Sequence, residues 1–190
     1  NLLLTGCVRQ KFVVMDMVHH NPGEAMTESK FLDPSFLKKN EYGAKVFFLF
    51  EAAQFGIDWK SFDPSLFPDT TEAGRWVAEK AEIIHKKYDA AKKEDLQVYC
   101  MLDMLVLPSL LVEKHRTELT NEQGKLDISK PYTQLCIREL MKEMFETFPQ
   151  LDGLVIRTGE TYLHDAPYYV GNHPVQNGMH DHITLVNLLR

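Results

Sequence analysis

The chain has 190 residues, enough to bury a sizeable core as a single domain, and its 44% hydrophobic and 25% charged residues are globular usage rather than disorder. A formal charge of -6 and a pI near 5.7 exclude a general nucleic-acid or anionic-membrane partner, since both demand basic surface. No run approaches the roughly 18 apolar residues that a membrane helix needs, so no membrane span is expected.

Residues 1–10 read as an entry segment. Leu3-Leu4-Thr5-Gly6-Cys7 matches the lipobox of a bacterial lipoprotein signal, in which the cysteine receives lipid. That reading makes the protein a periplasmic or cell-surface lipoprotein. The other reading is a short extended segment entering a soluble domain, favoured by the missing charged region and the short apolar region ahead of Cys7.

From residue 11 to 190 short apolar runs alternate with helical stripes. The first run is Phe12 to Val18, entering His19-His20-Asn21-Pro22-Gly23. Asp33 to Asn40 then reads as a short helix opened by Asp-Pro and closed before Gly43. Val46 to Glu51 is the second run. Glu72 to Lys93 carries apolar residues at Ala73, Trp76, Val77, Ala81, Ile84 and Tyr88, a 3.6-residue period with charges opposite. Asp69 and Glu72 resemble a capping box at its start.

Leu96 to Asp103 is the third run. Pro131 to Phe148 is a helix with proline in its first turn and a stripe of Leu135, Cys136, Leu140, Met144, Phe145 and Phe148. The fourth run is Gly153 to Glu160, and Met179 to Arg190 starts another helix. Near-continuous apolar runs of strand length suit strands covered on both faces.

Strict strand–helix alternation specifies an α/β fold with a parallel sheet. A dinucleotide-binding open sheet needs a glycine-rich turn after its first strand, and His19-His20-Asn21-Pro22-Gly23 is not one. The expected architecture is therefore a (β/α)8 TIM-type barrel, with residues 11–190 supplying about its first four β/α units as the N-terminal half of a catalytic domain. Arg190 falls inside a helical stripe without a stop signal, so the remainder of the barrel is expected from sequence beyond it.

In such a barrel the site gathers at the C-terminal ends of the strands. Those ends hold Asp16, His19, His20 and Asn21, then Glu51 and Gln54, then Asp103, then Arg157, Glu160 and Tyr162. The following loop adds His164, Asp165, Tyr168, Tyr169, Asn172 and His173. Carboxylates and amides hydrogen-bond sugar hydroxyls, aromatic rings pack on the apolar face of a pyranose, and Arg157 is the one cation among them, too few for a phosphate site.

Phe148-Pro149-Gln150-Leu151-Asp152-Gly153-Leu154-Val155-Ile156-Arg157-Thr158-Gly159-Glu160, followed by a Tyr- and Pro-bearing loop and Gly178-Met179-His180-Asp181-His182, resembles the barrel core of the alpha-glucuronidase family of glycoside hydrolases and its uncharacterised relatives. The resemblance is anchored on about forty residues from Phe148 onward, and the first three strands agree in layout alone. It implies a glycosidase in which Glu160 is the general acid. Arg157-Thr158-Gly159 departs from the family's small or Ala-Asp/Asn-Ser step, which bears on glucuronic-acid specificity.

The expectation is a glycoside hydrolase with Glu160 catalytic and Arg157, His19, His20, Glu51, Asp103, Tyr162 and His164 lining a carbohydrate site. The chemistry asks for a second carboxyl group, expected from later strands, with Glu51 and Asp103 as candidates within this chain. A non-catalytic carbohydrate-binding barrel and a metal-dependent hydrolase are the alternatives. Against the metal reading, His19 and His20 point to opposite faces of a strand, and His180 and His182 diverge at a helix start. No cofactor is expected. Cys7, Cys100 and Cys136 form no CxxC pair or zinc spacing, and Cys100 and Cys136 fall in apolar stripes as core thiols.

Overall fold

In the computed structural model the described residues are 13–15, 29–48, 51–163 and 165–190. In chain order they form β1 (Val14–Met15), α1 (Pro34–Lys39), β2 (Ala44–Phe47), α2 (Glu72–Lys93), β3 (Gln97–Asp103), β4 (Val106–Pro108), α3 (Ser109–Lys114), α4 (Arg116–Leu119), α5 (Pro131–Thr147), β5 (Gly153–Arg157), β6 (Tyr169–Gly171) and α6 (Met179–Leu188). Short 3-10 turns occupy Lys30–Leu32 and Ala53–Gly56.

The main sheet has the order β1-β2-β3-β5 and every pairing in it is parallel. The strands lie side by side in the order in which the chain makes them, with no reversal among these four. A doubly wound sheet reverses its strand order at a switch point; a barrel does not. A second, two-stranded sheet pairs β4 with β6 antiparallel.

Sequence periodicity locates the long helices well. α2 buries Val77, Ile84, Tyr88 and Ala91 along one stripe, and α5 buries Cys136, Ile137, Leu140 and Met144. Of these, Val77, Ile84, Ile137, Leu140 and Met144 each contribute roughly 1.5–3 kcal/mol when fully buried. α1 opens on Asp33, whose carboxylate accepts from the Ser35 amide at 3.0 Å, with Pro34 in the first turn.

Several boundaries differ from expectation. The cap of α2 is Thr71, whose Oγ1 accepts from the Gly74 amide at 3.0 Å, while Asp69 pairs with Lys60 at 3.1 Å. A side chain adjacent to the first turn reaches its free amides; Asp69 lies two residues too early to do so. β2 is Ala44–Phe47 rather than a run from Val46 to Glu51. β5 ends at Arg157, so Thr158, Gly159 and Glu160 form a loop instead of the end of the fourth strand. β4, β6, α3 and α4 have no counterpart in the predicted elements. Only Val14–Met15 of the first predicted strand is described as strand; the lipobox lies outside the described residues.

Alternation along the strands divides the sheet into two faces. Phe47, Val98, Cys100 and Leu102, with Leu154 and Ile156, join the core that contains Ile84, Tyr88, Leu140, Met144 and Phe148 of the helix layer. The rings of Phe47 and Tyr88 lie 4.8 Å apart, and Tyr88 and Phe148 5.7 Å apart. Val46, Phe48 and Met101, with Tyr99 and Val155, form a separate cluster on the other face. Asp103 and Arg157 continue the alternation of that second face, at its C-terminal rim.

Candidate active site

The register places Asp103 opposite Arg157 across the β3–β5 ladder. Both end their strands, and both follow Met101 and Val155 by two residues, which fixes them on the face away from the helices. Arg157 Nε and Asp103 Oδ1 form an ion pair at 3.1 Å, with the carboxylate side chain 8% and the guanidinium side chain 19% exposed. The guanidinium carbon lies 5.0 Å from the Phe48 ring centroid and 5.2 Å from that of Tyr162, so two aromatic rings contribute cation–π contacts to it.

The loop after β5 is tied to this pair at both ends. The Tyr162 amide donates to Asp103 Oδ2 at 2.9 Å, and Arg157 also donates to the backbone carbonyl of Glu160. Arg157 therefore bonds the carboxylate of Asp103 and the main chain of Glu160, not the Glu160 carboxylate. Glu160 itself is exposed. Burial is the largest influence on Asp103 and pushes its carboxyl above the usual range; the Glu160 charge adds to the rise, while the Tyr162 amide and Arg157 act against it.

Of the residues predicted for the site, Asp103, Arg157, Glu160 and Tyr162 come together. Glu51 makes its contacts elsewhere: its carboxylate pairs with Lys87 of α2 and its carbonyl accepts from the Tyr88 hydroxyl at 2.8 Å. Those partners belong to the helix layer, which makes Glu51 an anchor between β2 and α2. His19, His20 and His164 lie outside the described residues. Phe48 was not foreseen at the site. Its signal was available in the alternation of Val46 and Phe48 against Phe47, but only once the face of β2 was known.

The His180-Asp181-His182 segment is divided by helix geometry. His180 and His182 are exposed on α6, while Asp181 turns inward with 0% exposure. Its Oδ2 accepts from the amides of Gln176 at 2.8 Å and Asn177 at 2.7 Å, so it fastens the preceding loop to the helix start. Among the described residues no three His, Cys, Asp or Glu side chains are grouped to hold a metal ion.

A cavity of about 330 Å³ opens between Ser65–Pro68, Ser109, Leu110, Glu113, Pro167 and Tyr168. It contains none of the Asp103 cluster, although the chain that leaves Glu160 goes on to form its Pro167–Tyr168 wall. Cys100 and Cys136 are buried free thiols, pushed by burial up to about 11 and about 12 respectively. No helix of the described residues is long and apolar enough to cross a membrane.

No protein-family model and no curated protein matches the chain. Among solved structures it is similar to a noncanonic maltogenic alpha-amylase, AmyB from Thermotoga neapolitana, at 15% identity and a TM-score of 0.46, over 80% of this chain and 40% of that one. The chain thus spans two fifths of that amylase's length. These comparisons provide no link to the alpha-glucuronidases, and a likeness at that score leaves function to be argued from the chain's own residues.

Proposed function

We propose that the chain supplies the first four β/α units of a closed eight-stranded barrel that hydrolyses a glycosidic bond, with Glu160 as the general acid. In this reading the Glu160 carboxyl gives its proton to the leaving oxygen as the bond to the anomeric carbon breaks. Water adds its hydroxyl to that carbon, and a second carboxyl group takes the remaining proton in an inverting scheme or first attacks the sugar in a retaining one. That second group is assigned to a later strand of the barrel.

The observation supporting the reading is the in-register Asp103–Arg157 pair at the C-terminal rim, on the face free of helices, with the Glu160 loop fastened to it. This is the position from which barrel enzymes present catalytic groups. In this reading Asp103, paired with Arg157 and accepting from the Tyr162 amide, steadies the rim rather than serving as the second carboxyl group. Tyr162, beside Arg157, is assigned to the sugar site together with His19, His20 and His164. Glu51, turned to Lys87, supports the rim from outside it.

The test compares Glu160→Gln with wild type in the complete protein on a panel of phenyl glycosides, with sugar binding followed by calorimetry. Turnover lost with binding retained is the expected result. Unchanged turnover removes Glu160 from the chemistry, and binding without turnover in the wild type identifies a carbohydrate-binding barrel instead.

A further inference from the structure

Asp103 has the surroundings of a residue that acts through others. Its carboxylate is almost wholly buried, and each oxygen is spent on a different end of the 157–162 loop: Oδ1 on the Arg157 Nε at 3.1 Å, Oδ2 on the Tyr162 amide at 2.9 Å. Arg157 completes the ring of contacts by donating to the Glu160 carbonyl. Glu160 is therefore held between two fixed points, although its own side chain is exposed. We infer that Asp103 and Arg157 form a positioning pair that sets the place of Glu160, without contact with substrate. This rests on the reading of Glu160 as the acid.

A loop of five or six residues with a glycine at Gly159 is loose unless its backbone is bonded, and an acid must reach the leaving oxygen within hydrogen-bond distance. Arg157 is suited to the hold because its planar fork serves Asp103 and the Glu160 carbonyl at once, while the rings of Phe48 and Tyr162 restrict its swing.

Asp103→Asn and Arg157→Gln each release one tie of the Glu160 loop. Each variant lowers kcat on phenyl glycosides by roughly 10-fold to 100-fold, the scale of an ångström-sized misplacement of a reacting group. A misplaced proton donor matters least when the leaving group departs readily, so 2,4-dinitrophenyl glycosides of the same sugar are hydrolysed at close to the wild-type rate.

The assay is kcat/KM for phenyl and 2,4-dinitrophenyl glycosides with each variant of the complete protein, with thermal melts alongside. Losses confined to the phenyl glycoside support the inference. Equal losses on both substrates overturn it even when kcat falls, because a purely structural loss would produce that pattern. If either variant melts below the assay temperature, Arg157→Lys takes its place. Lysine keeps the charge but cannot serve both acceptors, so the same selective loss is expected, and wild-type kcat or equal losses overturn the inference. Should Glu160→Gln retain full turnover on the phenyl glycoside, the acid assignment itself fails; should it lose turnover while the Asp103 and Arg157 variants keep wild-type rates, only the positioning role fails.

Discussion

Removal of the Asp181 carboxylate should release the start of α6 without unfolding the rest of the domain. The residue is 0% exposed and accepts two backbone amides, at 2.8 Å from Gln176 and 2.7 Å from Asn177, with a longer contact of 3.4 Å from Asn177 Nδ2. Hydrogen bonds to a charged partner contribute about 1.5–3 kcal/mol each, so the two short ones together amount to about 3–6 kcal/mol. At about 1.4 kcal/mol per decade, Asp181→Ala should raise the opening equilibrium of α6 by roughly 100-fold to 10,000-fold. Hydrogen exchange of the amides from Ile183 to Leu188 measures this directly, with α5 as the internal reference. Exchange in α6 that stays at the wild-type rate would refute the reasoning.

The same residue predicts an acid dependence of known sign. Burial acts to raise the Asp181 carboxyl, but the amides of Asn177 and Gln176 outweigh it, and the group is held below its ordinary value. A carboxyl depressed in the folded state stabilises above its unfolded pKa, about 3.9, and that contribution is lost as pH falls through the folded value. Wild-type α6 should therefore open more readily in acid, below about pH 4, whereas Asp181→Ala, which lacks the carboxyl, should show no such acid step.

Gly74→Ala should destabilise despite alanine's better helix propensity of about 1 kcal/mol. A Cβ at Gly74 meets the Pro68 carbonyl oxygen at 2.1 Å and its carbon at 2.7 Å, a collision with main chain that costs about 1–3 kcal/mol or more to relieve; a melting temperature at or above wild type would contradict this. Iodoacetamide at pH 8 should label Cys100 and Cys136 slowly in the native protein, because burial lifts their thiols to about 11 and about 12. Fast labelling of either in the folded state would show that it is not enclosed.

The parts of the fold legible in the sequence are those with a long local signal. α2 and α5 repeat their apolar positions over 22 and 17 residues, so the stripe identifies them without any tertiary information. β3 and β5 are legible because both runs are near-continuously apolar, although only β3 is largely buried and β5, at the end of the strand order, is half-buried throughout. β4 and β6 are three residues each and exist only because Val106–Pro108 meets Tyr169–Gly171 across some sixty residues, a pairing that no local pattern encodes. The cap of α2 fell to Thr71 rather than Asp69 because capping depends on which side chain reaches the first amides, a matter of one or two residues.

At the site, Asp103 and Arg157 were legible as polar ends of apolar strands. Their facing one another required the register, and the bond from Asp103 to the Tyr162 amide spans 59 residues. Glu51 reads by the same logic as a rim carboxylate after an apolar run, and its pairing with Lys87 of α2 is a contact that no local pattern encodes.

The acid role of Glu160 is tested most directly by the leaving-group dependence of Glu160→Gln. A proton donor matters most when the departing alcohol is poor and least when it leaves readily as an anion. The measurement is the ratio of kcat/KM for 2,4-dinitrophenyl and phenyl glycosides of the same sugar, in wild type and in the variant. The account predicts that Glu160→Gln loses about 100-fold or more on the phenyl glycoside while retaining most of its activity on the dinitrophenyl one. An equal loss on both substrates, or no loss on either, would contradict it.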